Sequence, residues 1–196
     1  GSISSDLLAV PENTTLYAQW KAGNYFILLF RDSATSPGTW QLYTTYDTNV
    51  YLDSNRSQAM TTSANPITKP IRDNYTFAGY YSGSGGTGTE YIDANGYITS
   101  AGLSAGKECT SCTWYAKWTK SCYQITLDNT TNGGTGGTTV LYKLYNSTLW
   151  YSDSSCSTQV TTITKPTKTN ASYSSHYTGA SSGAQYISDS GTLLSK

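Results

Sequence analysis

Thr113-Trp114-Tyr115-Ala116-Lys117-Trp118 reprints Thr15-Leu16-Tyr17-Ala18-Gln19-Trp20 with two changes. Tyr17 to Tyr115 is 98 positions, Trp20 to Trp118 is 98 again, and the chain has 196 residues. A period of that length predicts two copies of one unit, each able to bury a modest core. Tyr and Trp stand three apart in both hexapeptides, which is not a strict strand alternation. The aromatic and β-branched residues still favour a strand over a six-residue helix. We read the hexapeptide as the closing strand of each unit.

Working outward, Tyr25-Phe26-Ile27-Leu28-Leu29-Phe30 is a continuous apolar run that predicts a strand buried on both faces. Its counterpart, Tyr123 to Asp128, alternates and implies a wetter setting. Gly- and Asn-bearing turns follow at Ser33 to Gly38 and Asn129 to Gly137. Returning strands are expected over Thr39 to Leu52 and Thr138 to Ser152, ending in Asp53-Ser54 and Asp153-Ser154. Those pairs suit an N-cap, and Asn55 to Met60 is the one short helix the sequence suggests. Ile67-Thr68-Lys69-Pro70 recurs as Ile163-Thr164-Lys165-Pro166, and Tyr91-Ile92-Asp93 recurs more loosely around Tyr186-Ile187. The expected boundaries are 1–21, a closing strand from a preceding or exchanged unit; 22–120, a complete unit; and 121–196, a unit without its closing strand. The fold class is mainly β, α+β at most, with a mixed sheet and one short helix or turn per unit.

Composition narrows the function. Twelve basic and twelve acidic residues cancel, without like-charge runs, so a nucleic-acid backbone or an anionic membrane has nothing to hold. No apolar stretch is long enough to cross a membrane, and Gly1 onward lacks the basic and apolar regions of a signal peptide; a mature or excised piece is expected. Charged residues are only 12% while Tyr alone supplies 18, which suits an extracellular all-β module better than a cytosolic enzyme.

The blocks recur in one order: strand, Gly/Asn turn, strand, Pro70, Tyr75-Thr76-Phe77-Ala78-Gly79-Tyr80-Tyr81, Gly85-Gly86-Thr87, and Leu-Tyr-Ala-x-Trp in the form Trp114 to Trp118 or Leu16 to Trp20. Together they resemble the Listeria–Bacteroides repeat, also called the internalin B-repeat, over nearly all of 24–120 and more loosely over 122–196. The resemblance implies tandem β-grasp-like modules strung on bacterial surface proteins as spacers or adhesive stalks, with no catalytic residues to carry over. The cysteines depart from the family pattern. So does the second copy, where Asn170, Ala171, Ser175 and His176 replace Asp73, Asn74, Gly79 and Tyr80.

Chemistry has few footholds. His176 is the sole histidine and stands at a varying repeat position, so a nucleophilic triad would depend on it alone. Asp93 and Asp189 follow the same strand in both copies and read as turn caps rather than paired catalytic acids. The glycines of 83–88 precede no helix and read as a hairpin turn, not a phosphate cradle. No catalytic residue, metal or cofactor is assigned. Cys109-x-x-Cys112 replaces a turn, and a disulfide is expected there. If the strand from Tyr123 lies antiparallel to the one ending at Tyr151, Cys122 meets Cys156. A four-thiolate zinc site and a thioredoxin-like redox pair remain alternatives.

Trp40, Tyr51, Trp150 and Tyr151 are the candidate ligand-binding aromatics, because they are less regular than the repeated Trp20 and Trp118. The functional expectation is therefore an extracellular spacer on a bacterial cell surface, with a glycan- or host-receptor-binding module as the alternative. The partners are neighbouring repeats, a host glycan or protein, and a second copy. A unit without its closing strand exposes a sheet edge, which residues 1–20 would complete in the same molecule or, the preferred form, in the next one head to tail.

Overall fold

A computed structural model describes residues 15, 17–180 and 182–195 of the chain. Residues 1–14 and Leu16 lie outside the described residues, and the closing strand expected over Thr15 to Trp20 does not form: Thr15 and Tyr17 to Trp20 are exposed and outside any strand, because no sheet edge among the described residues pairs with them. The chain is mainly β. Seven elements build the first half: β1 (Asn24–Phe30), β2 (Gln41–Thr45), β3 (Asn49–Tyr51), β4 (Tyr75–Gly83), β5 (Thr87–Ile92), α1 (Ser100–Lys107) and β6 (Cys112–Lys120). Their strands form one mixed sheet in the order β3-β2-β1-β6-β4-β5. The reprinted hexapeptide thus sits at the sheet's centre. β6 runs parallel to β1, with Leu29 opposite Trp114, and antiparallel to β4, with Tyr80 opposite Ala116 and Phe77 opposite Trp118.

The period within β6 is a strand period after all. Trp114, Ala116 and Trp118 alternate inward, and Tyr115 with Lys117 takes the other face; the three-residue Tyr to Trp spacing compared residues from opposite faces. β1 corrects a second expectation. It is buried on one face only: Ile27 and Leu29 enter the core while Phe26, Leu28 and Phe30 remain exposed, because α1 covers one side of the sheet and nothing among the described residues covers the other. The core joins Ile27, Leu42, Val50, Tyr80, Ile92 and Trp114.

The helix expected at 55–60 is absent. The Asp53 carboxylate accepts from the amides of Ser57 and Gln58, and Arg56 adopts a positive φ, so the segment closes as a loop. α1 forms instead from a Gly/Ser-rich stretch of low helix propensity. Thr99 caps it by accepting from the Gly102 amide. Gly102 and Gly106, one turn apart, let it press against the sheet: a Cβ on Gly102 would stand 2.1 Å from the Tyr91 carbonyl oxygen, and one on Gly106 2.4 Å from Val50 Cγ2. Tertiary packing makes this helix.

The second half holds β7 (Cys122–Thr126), β8 (Val140–Leu144), β9 (Trp150–Tyr151) and β10 (Gln159–Val160) in the order β10-β9-β8-β7, and a separate pair, β11 (His176–Tyr177) with β12 (Gln185–Ile187). The returning strands expected as single long segments are each broken in two by a turn. A second, smaller core gathers Leu127, Leu141, Trp150, Ile187 and Leu193.

Hydrogen bonds recur between the halves. Leu29 N–H donates to Trp40 C=O as Leu127 does to Thr139, and Arg56 to Asp53 as Cys156 does to Asp153. Ile67 donates to Gly96 as Ile163 does to Gly191, and Thr99 to Tyr91 as Leu194 does to Tyr186. The Asp53 loop cap is repeated by Asp153, whose carboxylate accepts from the amides of Ser157 and Thr158. The halves meet where β6 runs into β7 through Ser121: the Ser121 amide donates to the Asn74 carbonyl, Tyr123 Oη donates to Asn74 Oδ1 at 2.8 Å, and Tyr75 packs edge-on to Tyr145.

Candidate functional site

Both disulfides form as expected, Cys109 to Cys112 and Cys122 to Cys156. They engage all four sulfurs, which sets aside the four-thiolate zinc site. The route to the second differs from the expected one. β7 pairs with β8 rather than directly with β9, and the loop capped by Asp153 carries Cys156 back to Cys122.

Of the four candidate aromatics, Trp40 is 53% exposed, just ahead of β2. Tyr51 ends β3 opposite Tyr43, three residues further along β2 and, by alternation, on the other face, so the two share no groove. Trp150 is a correction. It is only 4% exposed, packs edge-on to Tyr186, and its indole N–H donates to the Leu194 carbonyl oxygen at 3.0 Å. It is a core residue of the second half, packed with Leu127, Leu141, Ile187 and Leu193 on one face of that sheet. Tyr151, paired with Tyr142, is also buried.

One groove was not legible in any motif. A groove of about 880 Å³ opens on the second half between β7 and the stretch Ala171 to Tyr177. Its floor holds Ile125, Leu127, Trp150 and Tyr186, and Lys143 and Tyr173 line its walls. In the first half, β6 lies between the corresponding strands, β1 and β4. The edge of β7 that borders the groove is unpaired among the described residues. Leu127 N–H and Ser121 C=O face β8 and the residues flanking it, so by antiparallel alternation Cys122, Gln124 and Thr126 direct their backbone groups to the open side.

His176 stands at one lip. Its Nε2 lies 3.0 Å from Asn129 Oδ1 and its Nδ1 2.8 Å from Tyr173 Oη. Burial lowers its pKa from the ordinary histidine value, and the Asp128 charge partly offsets this. Burial also raises the Tyr173 phenol and lowers the Lys143 ammonium, whose Nζ sits 4.7 Å from the Trp150 ring centre. Asp128 is held well below the usual carboxylate range by hydrogen bonds from Thr131 and Thr130. The Ser175 hydroxyl is buried without a hydrogen-bond partner. The groove therefore offers apolar floor, aromatic wall and free strand edge. Among the described residues no cluster of three or more His, Cys, Asp or Glu forms.

No family model matches the chain, and neither a curated protein nor a solved structure does. The likeness to the internalin B-repeat rests on the sequence motifs themselves.

Proposed function

We propose that the chain is a pair of tandem β-grasp-like repeats serving as a spacer in a bacterial surface adhesin. The observation that carries this is the recurrence of the same long-range hydrogen bonds in both halves, from the Leu29 and Leu127 ladders to the Thr99 and Leu194 closures. Units that share these hydrogen bonds, joined through a single residue, Ser121, with ring and hydrogen-bond contacts at the joint, suit a chain that must hold distance. The two disulfides fit an oxidising location outside the cytosol. No helix among the described residues is long and apolar enough to cross a membrane.

Small-angle scattering tests the spacer. One fixed end-to-end dimension that survives the double variant Tyr75→Ala, Tyr145→Ala only in reduced form supports a stiff joint; a broad distribution already in the parent chain refutes it.

A second reading has an observation of its own. The outward row Phe26, Leu28 and Phe30 is an exposed apolar strip on one face of the first half, and Trp40 is a separate exposed aromatic ahead of β2; either suits a glycan- or receptor-binding surface. A glycan and host-protein screen on the intact chain, repeated on Trp40→Ala, separates the two: saturable binding lost in the variant favours the binding module.

A further inference from the structure

We propose that the outward face of the first half's sheet, centred on Phe26, Leu28 and Phe30, binds the same face of a second copy of this chain in a twofold dimer. This rests on reading the halves as copies of one unit.

The second half supplies the control. Phe26 lies opposite Tyr43, which lies opposite Tyr51; Gln124 lies opposite Tyr142, which lies opposite Tyr151. Phe26, Leu28 and Phe30 therefore correspond to Gln124, Thr126 and Asp128, and every one of these residues is exposed. One unit carries polar residues in this row, as a strand row facing water should, and the other carries two phenylalanines and a leucine. The fold does not demand the apolar row, since the second half closes the same ladder without it. Apolar side chains standing in water where the unit accepts Gln, Thr and Asp mark a surface that a partner covers.

The strip continues into its neighbours. Tyr43 and Tyr51 stand at its Phe26 end. At its Phe30 end stand Tyr115, whose ring meets Phe30 edge-on at 5.8 Å, and Tyr81, opposite Tyr115. An apolar centre bordered by phenols has the anatomy of a protein interface. Lys117 is the one charged residue in the outward rows of β1, β2, β3 and β6, and its Nζ sits 4.8 Å from the Tyr81 ring centre. So sparse a charge gives an anionic membrane or nucleic acid nothing to hold. Leu28, at the middle, offers a sugar neither a ring face nor a hydrogen bond.

Symmetry and size select a second copy. In a twofold contact one patch serves on both sides, and residue i meets j where j meets i. Phe-x-Leu-x-Phe reads the same in both directions about Leu28. An axis passing beside Leu28 therefore sets Phe26 of one copy against Phe30 of the other and brings the two leucines together. Lys117 lies two residues beyond Tyr115, at the rim, so the face meets its own image without like charges at the centre. β3, β2, β1, β6 and β4 make the face about 24 Å wide at a strand spacing of about 4.8 Å. The 7 residues of β1 make it about 23 Å long. Side-chain relief brings such a patch to about 600–800 Å² per copy, the amount that a specific dimer buries. Two sheets packed in this way form the aligned sandwich that open sheet faces favour.

The test uses the whole chain, by sedimentation over a micromolar to millimolar series. Mass should rise from 21.2 kDa with concentration and level off at twice that value. The triple variant Phe26→Gln, Leu28→Thr, Phe30→Asp gives the first half the residues of the second, and should weaken association at least tenfold. Its Leu29 and Ile67 amides, which donate to Trp40 and Gly96, should stay protected from exchange, reporting a first half that still folds. A second measurement is independent of that variant. With the four native sulfurs paired, Leu28→Cys should form a disulfide between copies under mild oxidation, and Thr126→Cys, its counterpart in the second half, should not. A monomer at every concentration overturns the proposal, whatever else then binds the face. So does growth beyond two copies, association unaffected by the triple variant, or equal cross-linking at both cysteine positions. The repeat reading fails separately: it requires protected Ile163 and Leu194 amides at every mass.

Discussion

His176 Nε2 lies 3.0 Å from Asn129 Oδ1, and His176, paired with Ile187, stands where Tyr80, paired with Ile92, stands in the first half. The imidazole is also bonded to Tyr173 Oη, and burial keeps it neutral. Its folded pKa is below the unfolded value of about 6.5, so the unfolded chain binds the proton more readily. We expect the second half to be fully stable above that value and to weaken as pH falls below it. Denaturant midpoints between pH 7.5 and 5 check this, and His176→Gln should flatten the dependence in that window. A slope unchanged by the substitution would remove the histidine from the account.

Gly102 seats α1 against Tyr91. Adding a methyl group there meets a backbone carbonyl, which cannot swing aside as a side-chain end can. Gly102→Ala should destabilise the first half by about 1–3 kcal/mol despite alanine's better helix propensity. An increased midpoint would mean that the helix is free to shift outward.

The two disulfides should differ in weight. Cys122 to Cys156 closes a loop with a sequence separation of 34, Cys109 to Cys112 one of 3. Chain entropy assigns about 4 kcal/mol to the first and about 2 to the second. Thermal unfolding of the paired serine variants should preserve that order. The opposite order would point to native-state packing around the Cys109 loop.

Trp114 and Trp40 give a contrast within one residue type. Trp114 is buried and packs on Tyr91, with ring centres 4.8 Å apart. Trp114→Ala should cost about 3–5 kcal/mol. Trp40→Ala, at an exposed site, should stay within about 0.5 kcal/mol. Equal effects would mean that Trp40 contributes to packing rather than to a surface.

Asp53 and Asp153 each gather backbone amides of the following loop, and both pKa values are lowered, first by the Gln58 amide for Asp53 and by the Ser155 hydroxyl for Asp153. Depressed carboxylates stabilise above their unfolded values and lose that contribution as pH falls through their folded ones. Asp153→Asn should speed amide exchange at Ser157 and Thr158 at pH 7 while leaving the Asp53 loop unchanged. Unaltered exchange would show the loop to be held by the Cys156 disulfide alone.

The order of strands and turns was legible because alternation, Gly/Asn turns and a 98-residue period are local or simply repeated signals. Both disulfides were legible too, one from its spacing and one from a strand-pairing argument that found the right partner by a shorter route than the chain takes. The helix was not: Ser100 to Lys107 has weak propensity and exists because Gly102 and Gly106 fit close against Tyr91 and Val50. Nor was the burial of Trp150, which depends on its packing against Tyr186 and its bond to the Leu194 carbonyl, more than thirty residues further along the chain. The sequence by itself determined that the Leu/Trp-x-Ala-x-Trp segment is printed twice and that its neighbours recur, while only the second printing forms a strand. Only the tertiary structure decided that this strand belongs at the centre of a sheet, between β1 and β4. The physical reason is that pairing partners far apart in the chain are selected by complementary faces and edges, and no local pattern encodes which edge is left open.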